Sequence, residues 1–100
     1  MAYKKMLQLT WPIKTTEQIT VSTAVKSLTS SYIKKGGALI TLEGGSIRWR
    51  ADGTDPTSEV GHLMTEGDSL TIVGDSTTAR TIRFIRTGDL DGILTVSHRG

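Results

Sequence analysis

The chain has 100 residues, no cysteine, 36% hydrophobic and 22% charged positions, which is the make-up of one soluble domain and excludes a second. At this length only about 60 to 65% of the unfolded surface can be buried, so one modest core forms without a roomy interior cleft, and neither disulfide nor thiolate metal centre can reinforce it. Net charge is +2, but residues 1–50 carry eight Lys/Arg against Glu17 and Glu43, while residues 51–100 carry four Arg against eight acids; such a split suits a nucleic-acid arm, yet interleaved strands would cancel it, so nucleic acid is not the expected partner.

Sixteen Thr, nine Ile and five Val stand against five Ala, a β-branched composition that favours pleated, half-buried strands. No apolar run approaches the roughly 18 to 20 residues of a membrane span, and Met1 to Gln8 turns polar too early for a secretory leader, so a cytosolic origin is expected. Leu7, Leu9 and Trp11 alternate with Gln8 and Thr10, a first strand that Pro12 should end. Ile19, Val21, Thr23 and Val25 give a second alternating segment before a loop from Thr29 to Gly37.

Ala38 to Glu43 and Ser46 to Arg50 flank Gly44-Gly45, which predicts a tight hairpin because two glycines accept the positive φ of primed turns. In its second strand Ile47 and Trp49 should face the core and Arg48 and Arg50 the other way. Ala51 to Ser58, rich in Asp, Gly, Pro and hydroxyls, predicts a reversal or crossover. The one helical candidate is a turn or two around Ser58 to Met64, interrupted by Gly61. Leu70 and Ile72 mark a further strand, Gly74-Asp75 a turn, and Thr78 to Arg86, with Ile82 and Phe84 in phase, the second arm of another hairpin. A turn at Gly88 to Gly92 precedes a last strand, Ile93 to His98, with Leu94 and Val96 on one face. The expected fold is all-β: a single antiparallel β-sandwich or jelly-roll-like domain over 1–100, with 1–15 as an extended basic N-terminal arm.

Gly67-Asp68-Ser69-Leu70 spells the signature of a family of serine hydrolases, but there the serine follows a strand of an α/β domain and an Asp-x-x-His supplies the base. Here Thr95 stands at that spacing before His98, so a polar turn opening a strand is the better reading. Asp52, Asp55 and Glu59 offer oxygens to Ca²⁺ but fail the EF-hand spacing, and capping of a solvated turn accounts for them. Asp89 and Asp91 read as turn acids, and His62 and His98 alone do not make a zinc site. No catalytic residue, cofactor or metal is therefore assigned. Arg48, Arg50, Arg80, Arg83 and Arg86 fit either a solvated face that discourages edge pairing or a docking face. The candidate interface residues are Lys4, Lys5, Trp11, Lys14, Tyr32, Arg48, Arg50 and Arg83; Trp49 would anchor the same face unless its phase with Ile47 places it in the core.

Several stretches from Ala38 onward belong together: Ala38-Leu39-Ile40-Thr41-Leu42-Glu43, then Ile47-Arg48-Trp49-Arg50-Ala51-Asp52-Gly53-Thr54-Asp55-Pro56-Thr57, then Val60-Gly61-His62 with Gly67-Asp68. They continue in Ile82-Arg83-Phe84-Ile85-Arg86-Thr87-Gly88 and Leu94-Thr95-Val96-Ser97. On these residues the chain resembles a group of small virion-associated proteins of tailed bacteriophages. This resemblance implies a β-rich particle component that catalyses nothing: a capsid decoration or cement protein on the major capsid protein, or a neck or tail accessory. It further implies assembly in the host bacterial cytoplasm and self-association, with a trimer as the working expectation. A second likeness, over Ile47 to Thr57, is to fibronectin-III-like modules of carbohydrate-active enzymes, which keeps an adhesive or carbohydrate-binding module open as the alternative.

Overall fold

The fold is described by a computed structural model for residues 12–100. It is nearly all β: eight strands, β1 (Ile13–Val21), β2 (Lys26–Ser27), β3 (Gly37–Gly44), β4 (Ile47–Arg50), β5 (His62–Met64), β6 (Ser69–Val73), β7 (Arg83–Arg86) and β8 (Gly92–Arg99), and one short helix, α1 (Ser76–Thr81). The strands form two four-stranded antiparallel sheets, ordered β1-β8-β3-β6 and β2-β7-β4-β5.

Alternation decides which side chains meet between the sheets. Ile40 and Leu42 of β3, Leu94 and Val96 of β8, Val21 of β1, Ile47 of β4 and Phe84 of β7 are buried together. Phe84 is the only phenylalanine and is fully buried, contributing about 2–3 kcal/mol from apolar transfer. The predicted phases of Leu94 with Val96, Ile82 with Phe84, and Ile47 against Arg48 all appear in this core.

The connections differ from the local hairpins that the spacing predicts. Among the described residues β4 and β5 are the only consecutive strands that share a sheet and pair directly, while every other connection passes to the opposite sheet. The expected hairpin over Gly44-Gly45 is a crossover from β3 to β4. Its glycines serve close backbone approach: a Cβ on Gly45 would lie 2.0 Å from the Leu90 carbonyl oxygen, and Gly45 N–H donates to Asp91 O at 2.9 Å. Gly44 does take positive φ, +83°, but the chain turns down between the sheets because the core-facing alternation resumes in β4 on the other layer.

The second alternating segment likewise stops at Val21. Ser22 O accepts Arg86 N–H at 3.0 Å as the chain crosses to β2, where Lys26 pairs with Phe84, so Thr23 and Val25 belong to the crossing. The helical candidate at Ser58 to Met64 is loop followed by β5, whose Met64 is buried beside Ile47. Helix forms instead at Ser76–Thr81, where a strand was expected from Thr78. Asp75 caps it, accepting Thr78 N–H at 2.9 Å and the Thr78 hydroxyl, and Ala79 and Ile82 three residues apart enter the core. The predicted strand over Leu7 to Trp11 lies outside the described residues. Of the arm expected over 1–15, Ile13, Lys14 and Thr15 are already in β1, at a register irregularity opposite Arg99 and His98.

Candidate interaction site

The strand registers bring Arg48, Arg50 and Arg83 to the outward side of β2-β7-β4-β5, since their neighbours Ile47, Trp49 and Phe84 point inward. Arg50 stands directly opposite Arg83, an unfavourable like-charge pair that each relieves locally. Arg50 bonds Asp52 through Nη2 at 2.6 Å and Nε at 3.2 Å, and this guanidinium, with the Thr54 N–H, holds the Asp52 carboxyl down at about 2. Arg83 Nη1 donates to Arg80 O and Ile82 O, both at 2.8 Å. Arg48 reaches Ser58 O at 3.2 Å, Gly61 O at 3.1 Å and Thr87 Oγ1 at 3.3 Å. These arginines thus hold the chain's own loops. Lys14 is exposed on β1, and Tyr32, 37% exposed, sits in a single 3-10 turn with its ring edge-on to that of His98, centroids 5.8 Å apart. Lys4, Lys5 and Trp11 lie outside the described residues.

A different surface emerges on the outward side of β1-β8-β3-β6. Across the four strands one row reads Thr16, Ser97, Leu39, Thr71 and the next Gln18, Thr95, Thr41, Ser69. Thr20 and Ile93 lead to Glu43 at one end, and Arg99 and Val73 flank Gly37 at the other. Glu43 and Arg99 are the only charged side chains in these rows, and Arg99 is laid back, with Nη2 on Ile72 O at 3.0 Å. The hydroxyls bond along the rows, Thr16 Oγ1 with Ser97 Oγ and Gln18 Nε2 to Thr95 Oγ1, each at 3.4 Å. Leu39, Val73 and Ile93 add exposed apolar area. Sequence reasoning recorded this alternation as strands and missed it as a surface; the signal was uncharged polar residues at alternate positions, Thr16, Gln18 and Thr20 in β1, Thr41 in β3, Ser69 and Thr71 in β6, and Thr95 and Ser97 in β8.

On the inner side of the same sheet, His98 is fully buried with Nε2 2.6 Å from Glu17 Oε2, while Thr29 donates to Glu17 from its hydroxyl at 2.6 Å and its N–H at 3.2 Å. Burial alone would raise the Glu17 carboxyl, but these bonds outweigh it and keep the group below the ordinary glutamate range. Ser69 is on the opposite face of the sheet from His98, and Asp68 accepts Thr65 N–H at 2.8 Å. The hydrolase-like tetrapeptide is thus a turn into β6, as expected from the residues.

At the far edge of the sandwich, Trp49 and His62 are cross-strand partners with ring centroids 4.5 Å apart and planes at 32°. With Arg50, Asp52, Val60 and Gly61 they line an open cleft of about 560 Å³. Trp49 is half-buried against the core and reaches this cleft, so its phase with Ile47 holds and its indole is also at a surface. Among the described residues no three His, Cys, Asp or Glu gather to hold a metal ion, and no helix is long and apolar enough to cross a membrane. No protein-family model, curated protein or solved structure matches the chain.

Proposed function

We propose that this protein is a non-catalytic structural component of a tailed-bacteriophage particle, a decoration or cement protein that docks on the major capsid lattice through the outward face of β1-β8-β3-β6. The observation that carries this reading is the near absence of charge from that face in a chain that is 22% charged. Interface centres are depleted in charged residues, whereas a surface meant only for water is normally rich in them. Hydroxyls and amides there give directional bonds to a partner without the desolvation cost of ions.

Size supports a composite attachment. Strand spacing and rise give four strands of this length a face of about 400 Å², roughly half of what each partner contributes to a stable interface. The basic stretch with Lys4, Lys5 and Trp11 precedes β1, a strand of that same sheet, and would supply the remainder by contact with the shell or with a neighbouring copy, trimers being the working expectation. The resemblance of Ala38 and onward to virion-associated proteins names the setting, with assembly in the bacterial cytoplasm.

The test is incorporation into particles. Thr41→Arg with Thr95→Arg puts two charges at the centre of the face without touching the core. Normal folding by circular dichroism with occupancy lost from purified particles is the expected result, and full occupancy would refute the docking face. Copy number relative to the major shell protein separates decoration, where the two match, from a neck or tail place, where only a handful of copies are present.

A further inference from the structure

We propose that the cleft beside Trp49 is a binding site for a neutral sugar residue, stacked on the Trp49–His62 pair and hydrogen-bonded to Asp52. The cleft of about 560 Å³ falls within the range of small-ligand sites. The His62 imidazole lies over one face of the Trp49 indole, with ring centroids 4.5 Å apart and planes at 32°, so the pair is a stack whose uncovered aromatic surface borders the cleft, and Val60, 53% exposed, forms an apolar wall; the C–H face of a pyranose packs against such surfaces while its hydroxyls point elsewhere.

The polar side of the cleft selects by charge. Asp52 is ionised and aimed, because Arg50 and the Thr54 N–H hold it at 2.6 to 3.2 Å, and its remaining lone pairs can accept sugar hydroxyls. Arg50 already neutralises it, so the pair attracts neither cations nor anions strongly and suits a polyhydroxylated neutral ligand. The wall is also fixed in advance. Arg48 pins Ser58 O and Gly61 O, Thr87 Oγ1 also bonds Ser58 O, and Pro56 is buried beneath the loop, so little ordering cost falls on binding. The inference is independent of the docking reading, since β4 and β5 lie in the other sheet and a chain attached by β1-β8-β3-β6 leaves this cleft facing outward.

The chain has two tryptophans, so Trp11→Phe leaves Trp49 as the sole indole. Titration of this variant with the methyl glycosides of glucose, galactose, rhamnose and N-acetylglucosamine should give a saturable change in emission for at least one of them at millimolar concentration. The same sugar should shift the Trp49 indole N–H resonance of the unaltered chain, a measurement that does not depend on the variant folding. Asp52→Ala should weaken binding about five-fold or more, as expected for losing hydrogen bonds to a charged acceptor, while Asp89→Ala leaves it unchanged. The proposal is overturned if none of the four sugars produces a saturable response in either measurement, if Asp52→Ala binds as well as the parent, or if only an anionic sugar such as glucuronate binds.

Discussion

Replacing Glu17 probes a polar cluster inside the sandwich. Its carboxylate takes bonds from Thr29 N–H, Thr29 Oγ1 and His98 Nε2 at 3.2, 2.6 and 2.6 Å. A carboxylate only accepts, so His98 Nε2 carries the hydrogen, while Nδ1 is buried without a hydrogen-bond partner. Glu17→Ala therefore leaves both nitrogens of a fully buried ring unsatisfied, at a cost of about 2–3 kcal/mol, or about 10–20 °C in the melting temperature of a domain this size. Removing both partners is different in kind: Glu17→Leu with His98→Leu deletes the donor along with its acceptor and should recover most of the loss, leaving about 1 kcal/mol. The pH dependence has a definite sign. The folded-state carboxyl is held below the ordinary glutamate range, so its stabilisation is complete above the unfolded-state value and disappears as pH falls through the folded one. Urea denaturation at several pH values should show the gap between wild type and Glu17→Ala closing in acid. A gap that widens in acid, or a single-variant loss under about 0.5 kcal/mol at neutral pH, would refute this account.

Gly45→Ala should destabilise by about 2–4 kcal/mol in denaturant titration, because its Cβ meets the Leu90 carbonyl at 2.0 Å and backbone must move; Gly88→Ala, with nothing within 4 Å, should be neutral or slightly stabilising. Asp75→Ala removes the cap of α1 and should lower the melting temperature by a few degrees, with Asp75→Asn retaining most of the effect of the native residue. Arg48→Ala frees the carbonyls of Ser58 and Gly61 and should make the stretch from Asp52 to Gly61 the first site cut in limited proteolysis, with about 1–2 kcal/mol of stability lost.

The strands β3, β4, β6, β7 and β8 and their buried faces were readable because each depends on alternation over a few residues: Leu94 with Val96 and Ile82 with Phe84 need only the period of a pleated sheet. Which strand pairs with which was not, since Gly44-Gly45 carries the same letters whether it closes a hairpin or lets two backbones touch at Leu90. The helix was missed for a related reason. Thr78 and Thr81 carry β propensity, and the cap from Asp75 together with the burial of Ala79 decided the segment locally. At the candidate sites, Trp49 was legible as inward by phase, whereas its meeting with His62 required knowing that the loop after Asp52 returns the chain antiparallel. Arg48 and Arg50 were correctly phased away from the core, whereas Arg86 falls on the row of the buried Ile47 and Arg80 in the helix, and the carbonyl and carboxylate partners of these side chains lie in turns whose paths no local pattern specifies.

The charge split between the two halves of the chain shows what this topology does to sequence-level arguments. In β1-β8-β3-β6 the strands come alternately from the first and second halves, so an excess of six positive charges in one half and four negative in the other cannot become two oppositely charged sides. Arg48 and Arg50 of β4 and Arg83 of β7 gather on one outward face and are answered there by Asp52 and by loop carbonyls, while Arg86, opposite the buried Ile47, pairs with Asp91. The opposite outward face is built at hydroxyl positions of four strands, and its charges fall only at the ends. Separation of charge by face rather than by half makes the uncharged side a product of strand order. A permuted pairing of the same strands would scatter its rows, so this uncharged face is tied to the crossovers that the glycines at 44, 45 and 92 permit.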